Sequence, residues 1–432
     1  MAGDPTYATL TRPWPKRATA ARPDRVALAL SAKAFFGSRL IVWVAALVAL
    51  AHFGENVTAA RVLDPAALTA PFHSVSLDKL LAPMGRWDSV SYLQIARAGY
   101  QSPLSTAFYP LYPLLVRIGS VVPVSPLIVG GLFSSGAAVA ALALLHRLAR
   151  LDLSADAATL TVLLVAWFPS SLFLSASYTE SLFLLLTVLA VYAARTERWW
   201  AAGIAGGLAA AAHDNGVLIL VPLVLLYLYG PRPTSPTETA SGLRPRYRLR
   251  ADALWLLIVP LGLMSYMGYL WATRGTPLQS FVAQKDLYHH WFAGPFGGLA
   301  VAFVHLPHDI SVVVQNRGSI VGTGDPLSWN AHELIDLSFV FLAIAALVAA
   351  WRHVPRAYWM YGFVSLAFVL SVPGKLEPME SFSRYMLPVF PLFMGAAAAM
   401  TRHRKLTVTW LALSAVGLAI FSGLWGLWDW VA

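Results

Sequence analysis

Apolar residues in this chain come in long, nearly unbroken runs separated by short polar punctuation, rather than alternating or recurring every third or fourth position. A helix needs about 20 mostly apolar residues to cross a hydrocarbon core. By that measure the sequence predicts about eleven membrane-spanning helices, over 34–53, 124–146, 157–175, 178–194, 199–212, 216–229, 252–271, 333–351, 357–372, 385–400 and 406–428. The shorter runs imply helices that tilt, break or extend past these limits. A further half-buried helix is expected from Phe108, in FYPLYPLLV. No internal repeat is evident.

Composition narrows the class. The chain has 432 residues, 58% of them apolar and only 12% charged, with a mean hydropathy of +0.62. Soluble domains carry roughly twice that charge. The absence of cysteine excludes a disulfide scaffold and Cys-ligated zinc or iron–sulfur sites. With 16 Trp, 16 Tyr and 21 Phe, the chain is not a disordered one. The formal net charge of +10 is not a nucleic-acid signature, because the basic residues lie between apolar runs instead of forming one patch.

That charge gives an orientation. The first 33 residues hold Arg12, Lys16, Arg17, Arg22, Arg25 and Lys33, with no short apolar core and A-x-A cleavage site, and read as a cytoplasmic tail before an uncleaved first helix. With the tail inside, alternation also places inside Arg147 and Arg150, Arg195 and Arg198, Arg232 and the arginines of 244–250, Arg352 and Arg356, and Arg402, Arg404 and Lys405. Together with Arg39 these are 21 of the 31 Lys and Arg, against 7 of the 21 acids, so the inner face carries +14 and the outer face −4. Segment 231–250 reads as a solvated cytoplasmic loop touching lipid headgroups. Residues 34–430 form one transmembrane domain, with long outer loops at 54–123 and 272–332.

Polar groups fit for chemistry gather at the outer ends of the runs. Arg86-Trp87-Asp88 precedes YLQIARAGY, an amphipathic helix whose Leu93, Ala96 and Tyr100 can face the membrane while Gln94 and Arg97 face water. Asp88 is placed to act as a general base, or to cap the helix. Glu180, in Tyr178-Thr179-Glu180-Ser181, is costly so close to a bilayer unless it faces a polar cavity or a partner. His213-Asp214-Asn215-Gly216 is either a reverse turn or a polar substrate site. Gln284-Lys285-Asp286-Leu287-Tyr288-His289-His290-Trp291 in the second loop, together with Trp271 and Arg274, offers aromatic and basic groups that grip sugars and phosphates. Arg384 can hold a phosphate bidentately or snorkel to the interface. His289-His290 and His305-x-x-His308-Asp309 lack a helical His-x-x-x-His pattern, so no metal site is assigned. Phosphate loops and a nucleophile elbow are absent, which argues against an ATP-driven pump and serine-hydrolase chemistry.

Several motifs in order resemble a known family. Arg86-Trp87-Asp88 with Tyr92 and Gly99-Tyr100, then AFYPLYPL over 107–114, Phe168-Pro169-Ser170-Ser171, YTESLF over 178–183 and SRYMLP over 383–388 are similar to those of PIG-V-type mannosyltransferases, a family that includes the second mannosyltransferase of GPI-anchor assembly and its bacterial relatives. The resemblance covers about residues 35–400. One position departs from it: relatives usually carry Arg before the Asn-Gly turn, where this chain has His213-Asp214.

The resemblance implies an all-α integral membrane protein, a polytopic GT-C-type helical bundle with its active site under the first outer loop. It implies an inverting glycosyltransferase that moves a sugar, expected to be mannose, from a polyprenyl-phosphate donor to a lipid, glycan or protein acceptor. Asp88 then matches the catalytic base. Arg384 is the first choice and Lys285 the second for the donor phosphate. Arg86, Trp87, Tyr92, Tyr178, Glu180, His213, Asp214, Asn215 and Tyr385 would shape the substrate pocket. No cofactor is assigned, a divalent metal is left open, and the partners are the lipid donor, the acceptor and membrane lipids, with no nucleic acid. The Ala- and Arg-rich composition points to a bacterial plasma membrane, with the N-terminus cytoplasmic and the site extracytoplasmic. The rival reading is a transporter or lipid flippase, which predicts inverted repeats and charges near mid-span. A scaffold subunit would leave the polar outer loops without a role.

Overall fold

The computed structural model describes residues 25–234, 244–315, 329–375 and 377–431, and every regular element among them is helical. The first helix, α1 (Arg25–His52), explains why the fold needs a membrane. Phe36, Leu40, Val44 and Val48, four residues apart, are exposed, while Phe35, Ser38, Arg39, Val42 and Ala46 are buried. An apolar stripe facing outward and polar groups facing inward is stable only where the surroundings are hydrocarbon. Two short helices, Val57–Leu63 and Val75–Leu81, lead to α2 (Asp88–Ala98) and α3 (Leu111–Gly119). The half-buried helix expected from Phe108 is α3.

The bundle continues through α4 (Pro126–Ala149), α5 (Ala155–Ala166), α6 (Glu180–Arg195), α7 (Trp199–Ala212), α8 (Leu220–Tyr229) and α9 (Ile258–Arg274). Then come α10 (Gln279–Tyr288), α11 (Gly297–Gln315), α12 (Trp329–His353), α13 (Arg356–Val369), the single turn α14 (Phe382–Met386), α15 (Phe390–Met400) and α16 (Arg404–Gly426). Small residues let α7 and α9 approach backbone to backbone: a Cβ on Gly262 would stand 1.9 Å from the Gly207 carbonyl oxygen.

Three expectations change. Among the described residues six helices, not eleven, are long and apolar enough to cross a membrane. Five coincide with predicted runs; the other runs are shorter helices, several extended by 3₁₀ turns such as Pro169–Leu174, where proline breaks the ladder. The sixth, α11, lies inside the segment read as the second outer loop. Gly298 N–H donates to the Leu370 carbonyl, and Asn330 donates to Asp309. Leu370 and Asn330 sit at the same end of the α12–α13 hairpin, so both contacts hold α11 against that end. Second, the apolar face of α2 packs into protein, with Leu93 and Ala96 buried, while Gln94 and Arg97 are exposed as expected.

Third, Arg39 is no face charge. It is 5% exposed within α1, donates to the Ser171 carbonyl at 2.7 Å and the Ser175 hydroxyl at 2.8 Å, and so satisfies the backbone of the Pro169–Leu174 turn. The tail read from residues 1–33 and the loop 231–250 fall partly outside the described residues.

Candidate active site

A single cleft gathers residues from both halves of the sequence. It holds about 420 Å³ of empty space including its open mouth, and is lined by Asp88, Tyr92, Tyr109, Glu180, His213, Asp214, Gln284, Tyr288, Arg384 and Tyr385, among others. Eleven helices, α3 to α13, separate the one that holds Asp88 from the one that holds Arg384, yet their side chains meet: Arg384 Nη1 lies 2.8 Å from Asp88 Oδ2. The same guanidinium places Nε 3.4 Å from Glu180 Oε1. Arg384 is 6% exposed and stacks within 5.4–5.6 Å of Tyr385, Tyr178, Trp430 and Phe173.

Local backbone strain aims both partners. Trp87, immediately before α2, has φ +50°, and Ser381, immediately before α14, has φ +63°. Left-handed conformations of non-glycine residues are uncommon and persist where surrounding structure enforces them. Trp87 is held by an edge contact to Trp430, with ring centroids 5.1 Å apart. The Asp88 N–H donates to Tyr178 Oη at 3.0 Å. Among the described residues the hydrogen bonds to the Asp88 carboxylate come from the side chains of Tyr288 and Arg384, not from the α2 backbone. Its carboxylate points into the cleft instead, where Tyr288 Oη donates to Oδ1 at 3.4 Å.

The Arg384 turn is fixed from behind by Glu333 and Asp336, which sequence reasoning missed, and by Ser170, which it met only as part of a motif. Met379 N–H donates to Glu333 at 2.9 Å, Ser383 N–H donates to Asp336 at 3.1 Å, and the Ser170 hydroxyl donates to the Ser383 carbonyl at 2.8 Å. Glu333 and Asp336 stand three apart on α12, one helical face, which was the available signal. In the adjoining loop, burial and the neighbouring Glu377 carboxylate push the Glu380 carboxyl up to about 7, against the pull of Arg384.

Across the cleft, His213 ends α7 and Asp214 follows it. His213 Nδ1 is 2.5 Å from Asp214 Oδ1, and its ring stacks on Phe183 at 4.9 Å. Burial opposes an imidazolium, but the Asp214 carboxylate outweighs it and holds the His213 pKa above the usual value. Gln284 donates to Asp214 at 3.5 Å. Burial, with Asp88 nearby, holds the Tyr288 phenol well above its ordinary pKa, keeping it a donor.

The other expected site residues are placed differently. Lys285 is exposed and does not line the cleft; on the short helix α10 it is Gln284 and Tyr288, four apart, that face inward. Arg86 pairs with Glu55 at 3.2 Å and lies over Trp428, so it braces the first loop behind the cleft. Trp87 and Tyr178 support Asp88 from outside the lining, and Asn215 donates its N–H to Asp214 at 2.7 Å. Trp430 was not singled out, because an aromatic after the last span looks like an interfacial anchor.

Comparison with known proteins agrees with the motifs. Residues 32–226 match the model of the family described as Mannosyltransferase (PIG-V). GPI alpha-1,6-mannosyltransferase 2 of Mus musculus is 33% identical over 212 residues, covering 45% of this chain and 42% of the mouse protein. The matched part thus spans less than half the length of that relative. GPI mannosyltransferase 2 of Cryptococcus neoformans is 23% identical over 411 residues, covering 82% of this chain and 96% of the fungal protein. An oligosaccharyltransferase of Archaeoglobus fulgidus, solved with a tethered acceptor peptide, aligns over 90% of this chain and 55% of its own, with a TM-score of 0.39 and 12% identity.

Proposed function

We propose, from the match of residues 32–226 to the PIG-V-type mannosyltransferase model and the identity to its relatives, that the protein is a multi-pass membrane glycosyltransferase of the GT-C type. In this reading it moves mannose from a polyprenyl-phosphate donor to a hydroxyl of a lipid, glycan or protein acceptor, with inversion, on the outer face of the membrane. The observation that carries it is the Asp88–Arg384 pair, 2.8 Å apart in a cleft whose lining includes four tyrosines, two further carboxylates and one histidine.

The chemistry needs one base and one cation. An acceptor hydroxyl hydrogen-bonds to Asp88, and as its oxygen attacks the anomeric carbon the proton passes to the carboxylate. The bond between that carbon and the phosphate oxygen breaks, and polyprenyl phosphate leaves with its charge met by Arg384. Attack from the side opposite the leaving group inverts the carbon. Glu180, Asp214, His213, Tyr92 and Tyr385 line the cleft around the sugar. His213, kept basic by Asp214, supplies the positive group where relatives carry arginine.

The test is sugar transfer from labelled polyprenyl-phosphate mannose by purified protein, against a panel of lipid, glycan and peptide acceptors. Asp88→Asn lowers transfer at least about 10²-fold while the protein still expresses and elutes as a folded species. Near-normal transfer by that variant overturns the base assignment, and transfer from a nucleotide sugar instead overturns the donor class.

A further inference from the structure

The end of the bundle away from the cleft carries its own built surface. α7 runs from Trp199 to Ala212, so His213 marks the cleft end and Trp199 the opposite one. There Arg232 is 8% exposed, with its guanidinium 4.3 Å from the ring centres of Tyr227 and Tyr247 and 4.9 Å from that of Trp199. Its Nε donates to the Leu226 carbonyl at 3.2 Å. Arg232 thus fills an aromatic cage, and Tyr247 is the wall that the following segment contributes.

Fixing Tyr247 fixes its neighbours. The N–H groups of Arg246 and Tyr247 both donate to the Leu228 carbonyl, and the Arg250 N–H donates to Tyr227 Oη at 3.1 Å. With Tyr247 turned inward, Arg244, Arg246, Arg248 and Arg250 are all exposed. Apolar residues are interleaved and follow: Leu249 is 74% exposed, Leu254 65% and Leu257 60%, with Trp255 beside them. Arg198 and Trp200 at the start of α7 are exposed on the same side, since the α7 residue Gly203 packs against the Trp255 carbonyl. Among the described residues the acids nearby are Asp252, which accepts from Tyr227 Oη, and Glu197, which accepts from Thr234. The exposed arginines, Arg198, Arg244, Arg246, Arg248 and Arg250, outnumber these two acids, so the stripe keeps a net positive charge; it is anchored by a buried cage and edged with apolar side chains.

We propose that residues 244–257 form a docking site for anionic phospholipid headgroups. Guanidinium groups match phosphate geometry bidentately, and Leu249, Leu254 and Leu257 reach the acyl boundary beneath the headgroups. Nucleic acid would use the arginines but gain nothing from the exposed leucines, which is why the lipid is the better occupant.

The experiment is native mass spectrometry of the detergent-purified full chain titrated with phosphatidylglycerol or phosphatidylcholine, with excess inorganic phosphate as a competitor. Arg244→Gln, Arg246→Gln, Arg248→Gln and Arg250→Gln are combined in one variant; Arg402→Gln, Arg404→Gln and Lys405→Gln, on another connection, form the control. The wild type retains phosphatidylglycerol over phosphatidylcholine, and the combined variant loses that preference by roughly fivefold per arginine. Inorganic phosphate fails to displace the lipid. Equal loss in the control variant, equal retention of the two lipids, or displacement by phosphate would overturn the proposal. A cage variant, Arg232→Leu, gives an independent reading: it weakens retention without removing a stripe charge. None of these outcomes depends on whether Asp88 is a base, so sugar transfer and lipid retention succeed or fail separately.

Discussion

Removing Arg384 separates what the cleft needs for stability from what it needs for reaction. In Arg384→Gln the carboxylates of Asp88 and Glu180 lose a shared guanidinium at 2.8 and 3.4 Å. Breaking a buried ion pair by deleting one partner costs about 3–5 kcal/mol. Glu180 has only 6% side-chain exposure and bears most of this; Asp88, at 17%, keeps some hydration and bears less. Loss of the aromatic stacking adds about 0.5–1 kcal/mol, so a total of about 4 kcal/mol is expected. Thermal unfolding of the detergent-solubilised protein should show Tm lowered by about 4–5 °C, since the unfolding entropy scales with chain length. The double variant Arg384→Gln/Glu180→Gln removes the buried orphan carboxylate and should recover about 2 kcal/mol, because the two sites couple. Transfer should behave otherwise. If Arg384 meets the leaving phosphate, both variants lose about 10²–10³-fold in turnover, and the restored stability brings none of it back. Recovery of transfer in the double variant would refute the phosphate role and leave Arg384 a structural bridge. Equal Tm in the two variants would refute the electrostatic account of the bridge itself.

Two further predictions concern residues outside the cleft lining. Glu380 should give the protein a pH-dependent step: with its pKa raised to about 7 above an unfolded value near 4.5, the folded state holds its proton more tightly. Its stabilising contribution is complete below about pH 4.5 and is lost as pH rises through 7, roughly 3 kcal/mol in all. Glu380→Gln should flatten Tm against pH over that window, and an unchanged slope would reject the assignment. Arg39→Leu, which strips the Ser171 carbonyl and the Ser171 and Ser175 hydroxyls of their donor, should cost about 3 kcal/mol, read as a Tm decrease. Arg39→Lys should recover less than half of it, since an ammonium lacks the fork that reaches these acceptors together.

What the sequence revealed of the site, and what it hid, follows from the range over which each signal acts. Asp88, Glu180, Asp214 and Arg384 were legible one by one, because an ionisable group at the end of an apolar run is costly unless it has a purpose. Their convergence was also half legible: placing the basic segments on one side by alternation puts all four on the other. Register was not. Whether Lys285 or its neighbours Gln284 and Tyr288 face inward depends on how α10 is rotated about its axis, which the tertiary contact decides and which short helices of mixed polarity do not encode. Depth was hidden for the same reason. Arg39 resembles any arginine of the basic N-terminal region until the broken turn Pro169–Leu174, 130 residues away, is found to need its donors. The helix α11 was hidden in the opposite direction: its hydropathy alone suits a span inside a segment read as a loop, and its contacts at Leu370 and Asn330 hold it against one end of the α12–α13 hairpin. Hydrophobicity states that a segment can enter a membrane, whereas only its partners state whether it crosses. The cleft therefore rests on two kinds of information. The reacting groups are written locally as charges that have no cheaper explanation. The positioning groups — Glu333, Asp336, Ser170 and Trp430 — are ordinary polar and aromatic residues whose meaning arises only when the fold brings the Arg384 turn against them.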